Sequence, residues 1–132
     1  MNINPQLLDD TVAVCTSSSA TIMLMNDNRW PWLILVPNQS QATELHDLTH
    51  TDRNAFMADI NQVSRVVHKV TNCQSINIAM LGNVVSQLHC HVVARSEGDP
   101  NWPRPVWGFE QAVHYQNDLP ENLLDAIRKS FS

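Results

Sequence analysis

The side chains of this chain best suited to chemistry lie together in Gln87-Leu88-His89-Cys90-His91-Val92-Val93. The alternation of polar and apolar residues predicts a β-strand, in which successive side chains point to opposite faces. Gln87, His89 and His91 then share a polar, active face, while Leu88, Cys90 and Val92 turn toward an apolar core. Two imidazoles at i and i+2 stand about 7 Å apart along a strand, close enough to grip one small group. An imidazole can act as a nucleophile near pH 7, because an ordinary pKa of about 6.5 leaves much of it neutral and a carbonyl can orient its second nitrogen. By itself, His-x-His equally fits a zinc site lacking its other ligands, a solvated strand face, or ordinary hydrogen-bonded histidines.

The remaining reactive residue types read differently. Cys15, Cys73 and Cys90 are odd in number and widely spaced, with no CxxC pair, so neither a disulfide framework nor a thiolate zinc site is indicated. Cys90 is read as a core residue and not as a nucleophile. His46, His50 and His68 fall on or beside polar helix positions and read as solvated, and His114 lies in a segment without an assigned element. No Cys or carboxylate stands at ligand spacing beside His89 and His91, which makes a zinc module the most distant reading.

The elements that must position these residues follow from the pattern around them. Ala20 to Met25 and Trp32 to Val36 are apolar runs separated by the turn formers Asn26-Asp27-Asn28, which predicts two neighbouring antiparallel strands. Between Ser40 and Val70 the period becomes helical. Phe56, Ile60, Val63, Val67 and Val70 recur at spacings of four, three, four and three. Thr49 or Thr51 would cap this helix, and Ser40 a shorter one before it. Strand patterns return at Ile76 to Met80 and Leu88 to Ala94, paired as a hairpin around a turn holding Gly82 and Asn83. A last helix is expected from about Pro120 to Phe131, with Asp118 as its N-cap. The expected fold class is α+β, an antiparallel sheet with one long helix and a shorter C-terminal helix.

The composition bounds the function. With 132 residues the chain is expected to form one domain, residues 1–132. Its net charge is −5 and its eight basic residues are scattered, which argues against binding a nucleic-acid backbone. Small nucleotides stay open, because amides and imidazoles can cradle a phosphate without a basic surface. No run reaches the length of a membrane span and the N-terminal residues lack a signal-peptide pattern, so a cytoplasmic protein without membrane partners is expected.

The run at 87–93 resembles the signature of the histidine-triad (HIT) family, three histidines alternating with apolar residues and followed by two more apolar residues. It departs at the first position, where Gln87 replaces His. Asn77, the Gly82-Asn83 turn, Ala94-Arg95 and Trp102-Pro103-Arg104-Pro105-Val106-Trp107 extend the likeness toward bacterial members with a Gln-x-His-x-His variant. The resemblance implies an HIT-like fold and a hydrolase acting at the α-phosphorus of nucleoside phosphate derivatives such as dinucleoside polyphosphates, phosphoramidates or acyl-adenylates. It places His89 as nucleophile, forming a nucleotidyl-imidazole, and His91 as hydrogen-bond donor to the phosphate. Asn83 and the amides around Gly82 would contact the same phosphate, and Asn77 the nucleotide. Asn26 and Asp27 stand where members hydrogen-bond the ribose; Asp27 is preferred because a carboxylate accepts from both hydroxyls at once. A homodimer is implied, and no cofactor is required, with magnesium an allowed companion of a polyphosphate substrate.

Trp32 stands where relatives often carry His, and Val84 where a Ser or Thr often contacts the leaving group. Gln87 cannot change protonation state, which puts leaving-group preference in question. Two other readings therefore stand beside hydrolysis: a nucleotidyltransferase using an acceptor other than water, and a nucleotide-binding sensor with little turnover. Trp102 and Trp107 would either wall the nucleotide pocket or pack a subunit interface.

Overall fold

The computed structural model describes residues 2–132. Helix α1 (Pro5–Asp10) leads into strands β1 (Thr11–Thr16), β2 (Ala20–Met25) and β3 (Trp32–Pro37). A single 3₁₀ turn (Leu45–Asp47) precedes the long helix α2 (His50–Thr71), followed by β4 (Ser75–Ala79), β5 (Cys90–Arg95) and α3 (Glu121–Ser130). The strands form one antiparallel sheet in the order β1-β2-β3-β5-β4, so the chain crosses over once to insert β5 between β3 and β4. The α+β expectation holds. No described helix is long and apolar enough to cross a membrane.

Both faces of the sheet are apolar, which is why every residue of β3 and β5 is buried. On one face Ile22, Leu24, Leu33, Leu35, Cys90 and Val92 pack under α2 and α3. Helix α2 presents Phe56, Ile60, Val63 and Val67 to them, an apolar stripe at helical period. Its fifth expected member, Val70, is exposed near the helix end. Thr49 caps α2 by accepting from the Asp52 amide at 3.1 Å, and Asn72, in the left-handed region at φ 50°, ends it. On the other face Met23, Trp32, Ile34, Val36 and Val93 pack against Leu7, Trp30, Val85 and Val106. The strand face carrying His91 is therefore a second apolar cluster, where alternation within 87–93 alone predicts a polar one.

Other departures are local. The helix expected after Ser40 is a turn followed by the 3₁₀ segment, and Asp118 accepts from the Gln116 amide while Pro120 precedes α3. Strands β4 and β5 pair as expected, and the turn holding Gly82 and Asn83 is part of an irregular connection over residues 80–89. Strand β5 begins at Cys90, so Gln87 and His89 lie in the segment that enters it.

Candidate active site

His89 and His91 come together at the start of β5, with ring centroids 4.9 Å apart and both residues about 5% exposed. His89 Nδ1 lies 2.7 Å from the carbonyl oxygen of Gln87. A carbonyl only accepts, so Nδ1 carries the proton and Nε2 keeps its lone pair. His91 is held in the opposite tautomer. The sheet register aligns His91 with Ile34 and Val93 with Trp32, which makes Trp32 the diagonal neighbour of His91 on the same face. The Trp32 indole N–H donates to His91 Nδ1 at 2.9 Å. An indole only donates, so this bond leaves the His91 proton on Nε2. Burial, and after it the neighbouring His89, push His91 down to about 3, so it stays a neutral donor at physiological pH. One ring is thus arranged to offer a lone pair and the other a proton.

These imidazoles border a cavity of about 370 Å³, whose walls come from the 80–89 connection (Asn83, Val84), from α1 (Gln6, Leu7, Asp10) and from Trp107. Trp107 packs edge-on against both His91, at 5.4 Å, and Trp32, at 6.1 Å. Its buried indole N–H has no hydrogen-bond partner among the described residues. Through Asp10, Met25 and Gly108 the cavity adjoins a second chamber of about 230 Å³ bordered by Asn26, Asp27, Arg29 and His114. His89 also backs onto a small pocket of about 80 Å³ beside Thr43, Glu44 and Gly82. A pocket of about 600 Å³ between the end of α2 and the start of α3 holds none of the histidines.

The structure thus gathers His89, His91 and Asn83, with Gly82 at the adjoining pocket. A β-carbon added at Gly82 would meet nothing within 4 Å, so the fold itself places no demand for glycine there. Asp27 and Asn26 border the second chamber, but their side chains already have partners. Arg29 grips the Asp27 carboxylate with two bonds of 2.9 and 2.8 Å, and Asn26 Oδ1 accepts from the Tyr115 amide at 2.9 Å. Burial would raise the Asp27 pKa, but the hydrogen bonds and charge of Arg29 outweigh it and hold the carboxyl below its usual range. The Arg29 and Val113 amides also donate to Asp27 Oδ1, at 3.2 and 3.4 Å, so much of the carboxylate is already engaged.

Asn77 is not among the groups lining either chamber; its Oδ1 accepts from Arg95 at 3.3 Å. The buried Arg95 guanidinium is paired with Asp99 at 2.8 and 2.9 Å, donates to the Arg104 carbonyl at 2.7 Å, and lies near the rings of Trp30 and Trp102. Of the two distal tryptophans, Trp107 walls the cavity and Trp102 packs on Arg95. Gln87 borders the small pocket, with its carboxamide bonded to main chain of the N-terminal segment. Cys90 is fully buried and its thiol is pushed up to about 12 by burial, which removes it as a nucleophile. Among the described residues no three His, Cys, Asp or Glu side chains converge as a metal site.

Sequence reasoning missed the α1 wall, the Arg29 clamp and the part played by Trp32. Asn4-Pro5, an N-cap followed by proline at the first helical position, is a legible signal for α1. The Trp32 contact has no local signal, because it joins positions 59 apart in the chain.

The profile described as the HIT domain matches residues 8–98. Among solved structures, a histidine triad protein from Bradyrhizobium japonicum superposes with a TM-score of 0.94 at 36% identity, covering 99% of this chain and 98% of that one. A histidine triad (HIT) protein from Sinorhizobium meliloti gives 0.93 at 40% identity, with 98% and 96% covered. Among curated proteins, the AP-4-A phosphorylase of Mycobacterium tuberculosis is 26% identical over 131 residues; the match takes in 94% of this chain and 64% of that protein's length.

Proposed function

This chain belongs to the HIT domain family, and from that premise we propose that it cleaves nucleoside phosphate derivatives at the α-phosphorus through a nucleotidyl adduct on His89. The observation that carries the reading is the opposed pair of tautomers: a lone pair on His89 Nε2 beside a proton on His91 Nε2, bordering one cavity. In the first step His89 Nε2 attacks phosphorus, and the bond from phosphorus to the leaving group breaks with its electron pair. The Gln87 carbonyl, accepting from Nδ1, supports the positive charge that the ring gains. His91 Nε2–H and the Asn83 side chain donate to the phosphoryl oxygens as their charge develops. In the second step water attacks phosphorus, the bond from phosphorus to Nε2 breaks and returns its electron pair to a neutral His89, and the nucleoside monophosphate leaves with the water oxygen while the released proton passes to solvent.

The adjoining chamber is assigned to the nucleoside, with the Asp27–Arg29 pair at its wall. No ionisable side chain stands at the first triad position, so leaving groups that depart without a proton should be favoured. Magnesium is assigned only the part of screening a polyphosphate substrate. A second reading has one specific support, the word phosphorylase in the name of the tuberculosis relative: phosphate in place of water would resolve the adduct and give a nucleoside diphosphate.

A panel of dinucleoside polyphosphates, phosphoramidates and acyl-adenylates, assayed with and without inorganic phosphate, tests both. Monophosphate product in either buffer supports hydrolysis, and a diphosphate formed only with phosphate supports transfer. Tight nucleotide binding with no product from any member would point to a sensor and overturn the proposal.

A further inference from the structure

Gln87 occupies the first of three alternating positions, yet it does not line the cavity that His89 and His91 border. Its Oε1 accepts from the Asn4 amide at 2.7 Å and its Nε2 donates to the Asn2 carbonyl at 2.9 Å. Both ends of the carboxamide are thereby tied to main chain more than 80 positions away. The tied segment runs directly into α1. Asn4 is the N-cap, its Oδ1 accepting from the Gln6 amide at 2.9 Å, and Pro5 opens the helix. Helix α1 then supplies Gln6, Leu7 and Asp10 to the cavity wall.

A helix of six residues does not hold itself together in water, because nucleation is costly and few internal bonds follow. Its seat has to come from tertiary ties. Leu7 is its only buried residue; the Asp10 carbonyl accepts from the Asn26 amide at 2.9 Å at its far end, and the Gln87 carboxamide supplies the tie at its entry. The described main chain before α1 pairs with no strand; Ile3 packs against the apolar cluster around Leu7, and the two bonds from Gln87 fix the polar main chain on either side of it.

We propose that Gln87 is a positioning residue: it latches the N-terminal segment so that α1 walls the nucleotide cavity, and the first triad position governs substrate fit in place of leaving-group protonation. The inference rests on the nucleotide reading above for the identity of what the wall contacts. A carboxamide suits the latch because it offers one acceptor and one donor on a planar group and never ionises. A neutral histidine also offers one acceptor and one donor, but its nitrogens are fixed on a rigid ring and it can take up a proton, which removes the acceptor.

Gln87→Ala removes both bonds. For the best substrate of the panel, KM should rise on the order of tenfold while kcat stays within about threefold, the signature of lost binding and not of lost chemistry. Amide hydrogen exchange over residues 4–10 should accelerate by about tenfold, with exchange in α2 unchanged. Gln87→Glu keeps an acceptor for the Asn4 amide but sets a carboxylate oxygen against the Asn2 carbonyl, and should fall between wild type and Gln87→Ala. Asn4→Pro attacks the latch from its other side: it removes the amide that Gln87 engages, at a φ of −52° that proline accepts. Compared with Asn4→Ala, which loses only the cap, it should show the larger rise in KM.

Unchanged exchange over residues 4–10 in Gln87→Ala overturns the latch. A fall in kcat at constant KM, with a reordered ranking of leaving groups, overturns it equally by returning Gln87 to the chemistry. The exchange experiment needs no substrate. A wild-type protein that neither binds nor cleaves any nucleotide would therefore end the proposed function while exchange still decides the latch.

Discussion

At the scale of single residues, the site depends on which nitrogen of each imidazole carries its proton. His89 is set by a backbone carbonyl, a partner that almost any side chain at position 87 would leave in place. His91 is set by Trp32, a side chain that can be exchanged. Trp32→Phe keeps the packing against Trp30 and Trp107 but removes the donor, and should cost about 1–2 kcal/mol as a buried acceptor loses its partner. The pH dependence of stability gives a more specific reading. His91 in the folded protein titrates at about 3, well below the value of about 6.5 expected when unfolded. Between those values the unfolded chain binds a proton that the folded chain refuses, so this residue's contribution is fully present above about pH 6.5 and is lost as pH falls toward 3. His91→Asn should flatten the fall in Tm between pH 6.5 and 4.5. Trp32→Phe should do so in part, because the bond it deletes favours the neutral ring. Equal slopes in all three proteins would show that His91 is not held neutral. The two histidines were legible from alternation and family likeness, and so was a carbonyl as the partner that orients a nucleophilic imidazole; the His91 tautomer was not, because Trp32 and His91 meet only through the pairing of β3 with β5.

At the scale of elements, long periodic segments were readable and short ones were not. The α2 stripe, the paired runs of β2 and β3, and the pairing of β4 with β5 all followed from side-chain period, since each element buries a face set by its own sequence. Helix α1 and β1 escaped. The former spans less than two turns with one buried residue, and β1 is a half-exposed edge strand broken by an irregularity between Ala13 and Cys15. The Trp- and Pro-rich segment after β5 was recognised as a likeness, but what organises it is Arg95. That guanidinium joins Asp99, the Arg104 carbonyl, Asn77 and the rings of Trp30 and Trp102. Arg95→Met leaves the Asp99 carboxylate unpaired, and urea titration should report a loss of about 3 kcal/mol. Arg95→Met with Asp99→Asn should recover part of it. A single-variant loss below about 0.5 kcal/mol, the range of an exposed pair, would contradict the organising role.

At the scale of the whole molecule, the sheet separates two tasks. One face carries α2, α3 and the larger core, while the other supports the cavity through β3, β5, α1 and the distal tryptophans. The α2 stripe is covered within the chain, so it no longer argues for a partner. The resemblance to the family still does, together with the unpaired edge at β4, where Ile78 is exposed. Sedimentation at micromolar concentration should therefore report about twice 14.9 kDa; a monomer throughout that range would reject the dimer. The proposed chemistry, however, turns on one nitrogen atom, Nε2 of His89. Rapid quench and intact-mass analysis of wild type, His89→Ala and His91→Ala, with a substrate that the wild type turns over, reads its part out. Circular dichroism should first confirm that each is folded. Wild type should carry a nucleotidyl adduct, His89→Ala none at any time, and His91→Ala the same adduct formed about 10² to 10³ more slowly, the usual cost of a lost electrostatic donor. An adduct on His91 in His89→Ala, or turnover by wild type without any adduct, would contradict the assignment.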